Sequence, residues 1–302
     1  MKAVVLTAYG DVDKLELRDL PEPEVEPNGL LIRMAGASIN PVDIKMRTGA
    51  AHALFPVKFP GILGRDASGE VLRVGNEVSG FAPGDRVLGL VHGAYAEQVA
   101  APVANWARVP PGVDLAEAGA LPLVLLTGAQ LMERAVAPSP EWTVLVTGAV
   151  GSVGRVALYA AQRRGVSVWA GVRASQREQA EHLGASGIAL LDQANFGAEL
   201  PRFDAIADTV GGDTIQRLYD CLKPGGTIGS VLGDPPGAKE RGFVVHSFTA
   251  QPDSAQLQRY VAHVAEGRLV VPITAKLPLY QAREAHLLVE KKRVGGKVLL
   301  LG

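Results

Sequence analysis

The chain has 302 residues, of which 47% are hydrophobic and 20% charged, ordinary values for a globular protein with room for two domains. A formal net charge of −1 gives no electrostatic reason to expect nucleic acid or an anionic membrane as partner. One cysteine, Cys221, excludes an internal disulfide or a cysteine-built metal cluster, and the expected compartment is the cytoplasm.

The opening KAVVLT (2–7) reads as a first strand rather than a secretion signal. LLIRMAGA (30–37), GEVLRVG (69–75), DRVLGLV (85–91), AYAEQVAA (94–101) and NWARVP (105–110) follow as short β-rich runs between Gly/Pro turns. They predict an irregular antiparallel barrel or sandwich. DLAEAGALPLVLLTGAQLMERA (114–135) is Ala/Leu-rich behind an Asp suited to an N-cap, and reads as helix. Its apolar part is too short and too broken, by Pro122, Thr127 and Gln130, to cross a bilayer. From 143 onward strands and helices alternate in the βαβ rhythm of a doubly wound parallel sheet. After about 265 the pattern returns to the style of the first hundred residues: PITAKLPL, the amphipathic YQAREAHLLVE, and the terminal strand GKVLLLG.

TVLVTGAVGSVGRVALYAA (143–161) carries the strongest local signal. An apolar strand runs into Gly148, Ala149, Gly151 and Gly154 and then a helix. Small residues are needed there so that backbone N–H groups reach a pyrophosphate and helix packs closely on strand. A tight turn in a doubly wound domain that binds something else remains the alternative. NAD-binding proteins usually end the second strand on a carboxylate for the ribose hydroxyls. Here Gly171 falls at that place, with Arg173, Ser175 and Arg177 beyond it. A missing carboxylate and a guanidinium favour NADPH over NADH; solvated arginines are the bland reading.

SINPVDIKMRTG (38–49), GRDASGEVLRVGNEVSGFAPGDRV (64–87), GAYAEQVAAP (93–102), ALPLVLLTGAQ (120–130), the VTGAVGSVG turn, DTVGG (208–212) and GKVLL resemble the zinc-independent quinone oxidoreductase branch of the medium-chain dehydrogenases/reductases. The resemblance covers nearly the whole chain in order. It implies a GroES-like catalytic domain over 1–115 and 266–302, and a Rossmann NADP(H)-binding domain over 116–265. Zinc-dependent relatives have Cys where this chain has Asn40 and Gly-His-Glu where it has Gly64-Arg65-Asp66. Asn and Arg are no zinc ligands, so no metal is expected. Arg65 and Asp66 read as an ion pair refilling that place, either touching substrate or, as the bland alternative, with Asp66 accepting hydrogen bonds and Arg65 neutralising it.

No Gly-x-Ser-x-Gly elbow or Walker lysine is present, and the Tyr219/Lys223 pair runs into Pro224-Gly225-Gly226, the wrong setting for a reductase dyad. Hydride transfer to quinones or α,β-unsaturated carbonyls remains. By resemblance, Asn40 lies near the nicotinamide, where its amide can donate to a developing oxyanion; fixing the turn before Pro41 is the bland alternative. Asp43 and Lys45, two apart on a run read as extended, are expected on one side. Lys45 stands where some members of the branch place a substrate-contacting Tyr, and Asp43 alternatively caps a following helix. The resemblance also places Thr127 at the nicotinamide, Ser152 and Val153 on the pyrophosphate, and Val210, Leu232 and Gly233 around the nicotinamide ribose and carboxamide. Leu191 and Gln176 depart from the branch, standing where Tyr often meets the adenosine and Lys the 2′-phosphate. The apolar runs 226–232 and 242–248 read as a sheet edge that must be covered or paired; the resemblance implies pairing in a homodimer, and a monomer with a covered edge is the alternative. An enone reductase of the same fold, or a catalytically idle NADPH-binding protein, stays open.

Overall fold

The computed structural model describes residues 1–197, 200–291 and 295–302. The chain folds as two units, Met1–Leu123 with Pro252–Gly302, and Val124–Gln251. Residues 252–265, placed by sequence with the dinucleotide-binding domain, fold within the first unit. There the helix Ser254–Ala265 is tied to the strand Trp106–Arg108: the Arg108 N–H donates to Gln258 Oε1 at 2.8 Å, and Gln258 Nε2 donates back to the Arg108 carbonyl at 3.2 Å.

The first unit is β-rich. Strands Ile273–Pro278, Lys297–Leu301, Gly29–Ile39, Asp66–Val74, Arg86–Leu90 and Trp106–Arg108 lie side by side in that order, and Gln98–Pro102 also pairs with Gly29–Ile39. Only the Ile273–Pro278 and Lys297–Leu301 pair runs parallel. Leu15–Asp19, Lys2–Leu6 and Gly61–Ile62 make a small antiparallel sheet. The core between them holds Leu30, Ile32, Val71, Val87, Tyr95, Trp106 and Leu300. Several of these strands are buried along most of their length, as Gly29–Ile39 and Arg86–Leu90 are, while charged residues such as Arg33 and Arg73 face water.

The second unit is the expected doubly wound sheet. Six parallel strands stand in the order Gly187–Leu190, Ser167–Val172, Thr143–Thr147, Phe203–Asp208, Leu222–Ser230, Val244–Ser247. Strand order reverses between Thr143–Thr147 and Phe203–Asp208, which is the switch point where such sheets bind ligands at their carboxyl ends.

Two local expectations change. The run 41–48 is a helix, not an extended segment: Asn40 is its N-cap, Pro41 its first residue, and Gly49 closes it at φ 83°. The run 114–135 is not one helix. A 3-10 turn, Glu117–Ala120, precedes the α-helix Pro122–Gln130, and the last stretch, Leu131–Val136, winds as a π-helix. Pro122 lacks the N–H that a continuous helix would need and starts a new one instead.

Candidate functional site

In the first unit, three strands bring a polar cluster into the core. The strand Gly29–Ile39 delivers Ser38 and, just beyond its end, Asn40; Asp66 opens the strand Asp66–Val74; Lys297 opens the terminal strand. Asp66 is fully buried and accepts from four groups: Ser38 Oγ at 2.5 Å, Asn40 Nδ2 at 2.8 Å, Lys297 Nζ at 3.4 Å and the Leu123 N–H at 2.6 Å. The last bond caps the helix Pro122–Gln130 from across the fold. Lys297 Nζ also donates to Asn40 Oδ1 at 2.5 Å. The Asn40 amide is therefore engaged at both ends, its other Nδ2 contacts being the two Ser38 oxygens at 3.5 Å.

Asp43 sits at the third position of its helix and accepts from the Asn40 N–H at 2.8 Å, completing a capping box. It is buried while Lys45 is exposed. Two residues apart on a helix lie on opposite sides, so the expected shared side is lost. Asp43 Oδ1 and the Tyr95 hydroxyl, both buried, have no hydrogen-bond partner of normal geometry. Burial raises the Asp43 carboxyl to about 6, against the pull of the Asn40 N–H and reinforced by the nearby Asp66 charge. Burial, with Asp43 beside it, pushes the Tyr95 phenol well above its usual value.

Arg65 and Asp66 do not pair. Consecutive residues entering a strand point to opposite faces, and Asp66 takes Lys297 as its cation. Arg65 instead lays its guanidinium over the Phe55 ring, 5.0 Å from the centroid. Gly64 sets this path: at φ +101° it leaves 2.6 Å between a would-be Cβ and Tyr95 Cδ1, room for glycine alone.

In the second unit the glycine turn has the shape that the sequence requires. Gly148 adopts φ 64°, and a Cβ on it would stand 2.6 Å from Thr209 Oγ1. A Cβ on Gly154 would stand 2.1 Å from the Gly148 carbonyl oxygen, inside any allowed contact. Gly151 caps the helix Ser152–Arg163, and Ser152 and Val153 open it with N–H groups that a helix leaves unpaired. Ala149 is buried, its N–H donating to the Gly171 carbonyl at 3.2 Å. Gly171 itself has a packing reason: a Cβ there would come within 2.8 Å of Leu191 Cδ1. Arg173 and Ser175 are exposed at the turn that follows, and Arg177 is drawn to Glu181 at 3.3 Å. A carboxylate does stand nearby, since Asp192 accepts from the Ala174 N–H at 2.9 Å.

At the carboxyl ends of the central strands, buried Asp208 ties the loops. Its Oδ1 accepts from Thr147 Oγ1, the Val210 N–H and the Gly211 N–H at 2.8, 3.1 and 3.0 Å, and its Oδ2 from Ser230 Oγ at 3.3 Å. Ser230 Oγ in turn accepts from the Leu232 N–H at 3.1 Å. Val210 and Leu232 are left with exposed side chains, and Gly233 adopts φ 97°. Thr127 lies on the helix Pro122–Gln130 at 9% exposure. The neighbouring Gly128 lets that helix press on Ser152–Arg163, a Cβ there meeting the Val153 carbonyl oxygen at 2.7 Å. Tyr219 donates to the Pro236 carbonyl at 2.7 Å and Lys223 pairs with Asp204 at 2.6 Å, so these two form no dyad.

The structure thus gathers Asn40 and Asp43 in one cluster, sets Lys45 apart from them, and assembles the glycine turn with Gly171, Arg173 and Ser175 in the second unit. Sequence reasoning missed Lys297, Ser38, Tyr95 and Asp208. Asn40, Arg65, Asp66 and Lys297 do not fit a zinc ion: an amide, two cations and one saturated carboxylate supply neither thiolate nor imidazole. Among the described residues no group of three or more His, Cys, Asp or Glu side chains is placed to hold a metal. The glycine turn does fit a dinucleotide: Gly148 and Gly154 pack too closely on Thr209 and the Gly148 carbonyl for any side chain, and this tight turn presents the N-terminus of the helix Ser152–Arg163, whose first N–H groups suit a pyrophosphate. No described helix is long and apolar enough to cross a membrane.

Comparison with known proteins agrees with this layout. The alcohol dehydrogenase GroES-like domain family matches residues 26–111, and the zinc-binding dehydrogenase family matches residues 183–300. A 2-methylene-furan-3-one reductase from Solanum lycopersicum is 30% identical over 99% of this chain and 79% of its own length. A probable quinone oxidoreductase from Schizosaccharomyces pombe is 31% identical over 98% of this chain and 94% of its own. A mycobacterial protein solved in complex with NADPH superposes with a TM-score of 0.85 at 26% identity, covering 100% of both chains.

Proposed function

The chain belongs to the quinone oxidoreductase branch of the medium-chain dehydrogenase/reductase superfamily, and from that premise we propose that it is a zinc-free, NADPH-dependent reductase of quinones. The observation that carries the reading is the cluster around Asp66. Its amide, cation and carboxylate spend their hydrogen-bonding capacity on one another, where zinc enzymes of the superfamily need metal ligands. A site without a Lewis acid suits acceptors with their own electron sink, and conjugation gives quinones and α,β-unsaturated carbonyls that sink.

NADPH supplies the hydride when bound. The turn Gly148, Ala149, Gly151 and Gly154, with the free N–H groups of Ser152 and Val153, holds its pyrophosphate. Arg173 and Ser175 take the 2′-phosphate beside Gly171, with the nearby Asp192 carboxylate held by the Ala174 N–H. Asp208 fixes the loops bearing Val210, Leu232 and Gly233, which with Thr127 line the nicotinamide end. In the first unit Asn40 and Asp43 are held in shape by their capping box, and Lys45 on the same helix is an exposed cation set apart from them. The NADPH complex of the mycobacterial relative supports the cofactor, and the yeast relative's name supports the acceptor. The exposed Val244 on the edge strand Val244–Ser247 favours pairing with a second copy of the chain.

The tomato relative's name favours enones as a second acceptor class. Turnover of a naphthoquinone and of a short enone with NADPH decides between them. Rapid use of the quinone supports the first reading and exclusive use of the enone the second. Cofactor binding without turnover of either would leave a binding protein and sink the reductase reading.

A further inference from the structure

Arg65 is 5% exposed, yet no hydrogen bond or ion pair engages its guanidinium among the described residues, and its Nε is buried without a partner. The neighbouring acids are already committed. Asp66 accepts from Ser38, Asn40, Lys297 and the Leu123 N–H, and Asp43 Oδ2 accepts from the Asn40 N–H. Their charges lie close enough to favour the Arg65 cation, while burial works against it and lowers its pKa. His92, exposed on the following loop, is held below its usual value first by desolvation and then by the Arg65 charge. The Arg65 carbonyl accepts from the Val91 N–H at 2.9 Å, which fastens that loop to it.

Arg65 Cζ stands over the Phe55 ring, 5.0 Å from its centroid, and a guanidinium holds its five N–H donors in one rigid plane. Five donors in that plane match two oxygens side by side. A desolvated cation with unspent donors is costly to keep unless something anionic completes it.

We propose that Arg65, packed on Phe55, is the receptor for an oxygen anion of the acceptor. This rests on the reductase reading and goes beyond it by naming what the acceptor presents. Two sources share the chemistry. One is a carboxylate carried by the substrate. The other is the carbonyl oxygen of a conjugated acceptor: the hydride bonds to carbon, the π pair moves onto oxygen, and a solvent proton then neutralises it. Lys297 cannot serve, because Asn40 and Asp66 already hold it.

Calorimetry of the full chain with benzoate and benzamide tests the receptor without any turnover. Benzoate is expected to bind at least tenfold more tightly, Arg65→Met to abolish the difference, and Arg65→Lys to keep only part of it. Equal affinity for the two probes in the wild-type protein overturns the proposal, as does a preference that survives in Arg65→Met. Should Arg65→Met not fold, the wild-type comparison with Arg65→Lys decides alone, since an ammonium that binds benzoate as well as the guanidinium refutes the planar receptor. Kinetics with 3-benzoylacrylate and its methyl ester separate the two sources. A KM rise confined to the acid in the variant assigns a substrate carboxylate, and an equal kcat loss on acid and ester assigns the reacting oxygen. Absence of turnover with every acceptor alongside intact benzoate preference would fault the reductase reading and leave Arg65 as an anion site.

Discussion

His286 and Asp43 make opposite demands on acid stability, and replacing His286 exposes the contest. His286 is fully buried on the helix Ala282–Glu290, edge-on to Tyr95 at 5.7 Å, with both ring nitrogens unpartnered. Burial, helped by the Arg47 charge, pushes its pKa down to about 3. An unfolded histidine titrates near 6.5, so between about 6.5 and 3 the unfolded chain holds one more proton than the folded one. That term removes roughly 1.4 kcal/mol of stability for each pH unit lost below 6.5. Asp43, raised to about 6, does the reverse. Between about 6 and its unfolded value near 3.9 the folded chain holds the extra proton, and acidification adds roughly 1.4 kcal/mol per unit. The two slopes offset one another from about pH 6 to 4, and these groups leave the wild type nearly flat there.

His286→Leu deletes one slope. Relative to wild type it should gain about 2 kcal/mol between pH 8 and pH 5, from the roughly 1.5 units below the unfolded histidine value. Urea melts at pH 8, 6.5 and 5 read this as a growing midpoint difference at constant m. A difference that stays constant with pH would show that the folded protein protonates His286 normally, and would refute the reasoning.

Three further outcomes follow from the packing. Lys297→Met leaves the buried Asp66 without its cation and should cost about 3 kcal/mol; a cycle with Asp66→Asn should show coupling of about 1–3 kcal/mol, and strict additivity would refute the pairing. Gly154→Ala pushes a methyl into the Gly148 carbonyl, whereas a Cβ on Gly151 would lie 3.1 Å from that oxygen; NADPH fluorescence titration should show on the order of 100-fold weaker binding for the first and under about tenfold for the second, and equal losses would contradict the close-packing role. Val244→Asp on the edge strand should convert a dimer to monomers by light scattering, and a monomeric wild type would remove that proposal.

Much of this architecture was legible because it is local. Gly148, Gly151 and Gly154 follow an apolar strand, and at Gly148 and Gly154 no other residue type meets the conformation and contacts found there. The βαβ rhythm read the second unit correctly for the same reason. The helix 41–48 was misread although Asn40, Pro41, Asp43 and Gly49 spell its cap, first residue, capping box and stop. Its apolar residues Val42, Ile44 and Met46 alternate with polar ones, which is the period of a strand rather than of a helix. Pro122 similarly marked the break in 114–135. The polar cluster was beyond reach for a different reason. Lys297 meets Asn40 and Asp66 across more than two hundred residues of chain, and nothing local in GKVLL sets it apart from a surface lysine. Adjacency in sequence even misled, since Arg65 and Asp66 turn to opposite faces. His286 looked like one more residue of an amphipathic helix, and only the fold shows it buried without partners.

The central claim is a zinc-free reductase that prefers NADPH through Arg173. Its most direct test follows NADPH and NADH consumption on addition of a small naphthoquinone, with EDTA present, in wild type and Arg173→Gln. Turnover is expected to be insensitive to the chelator, and the KM for NADPH to rise about tenfold or more in the variant while that for NADH stays unchanged. Turnover that EDTA abolishes, or a variant that affects both cofactors alike, would contradict it.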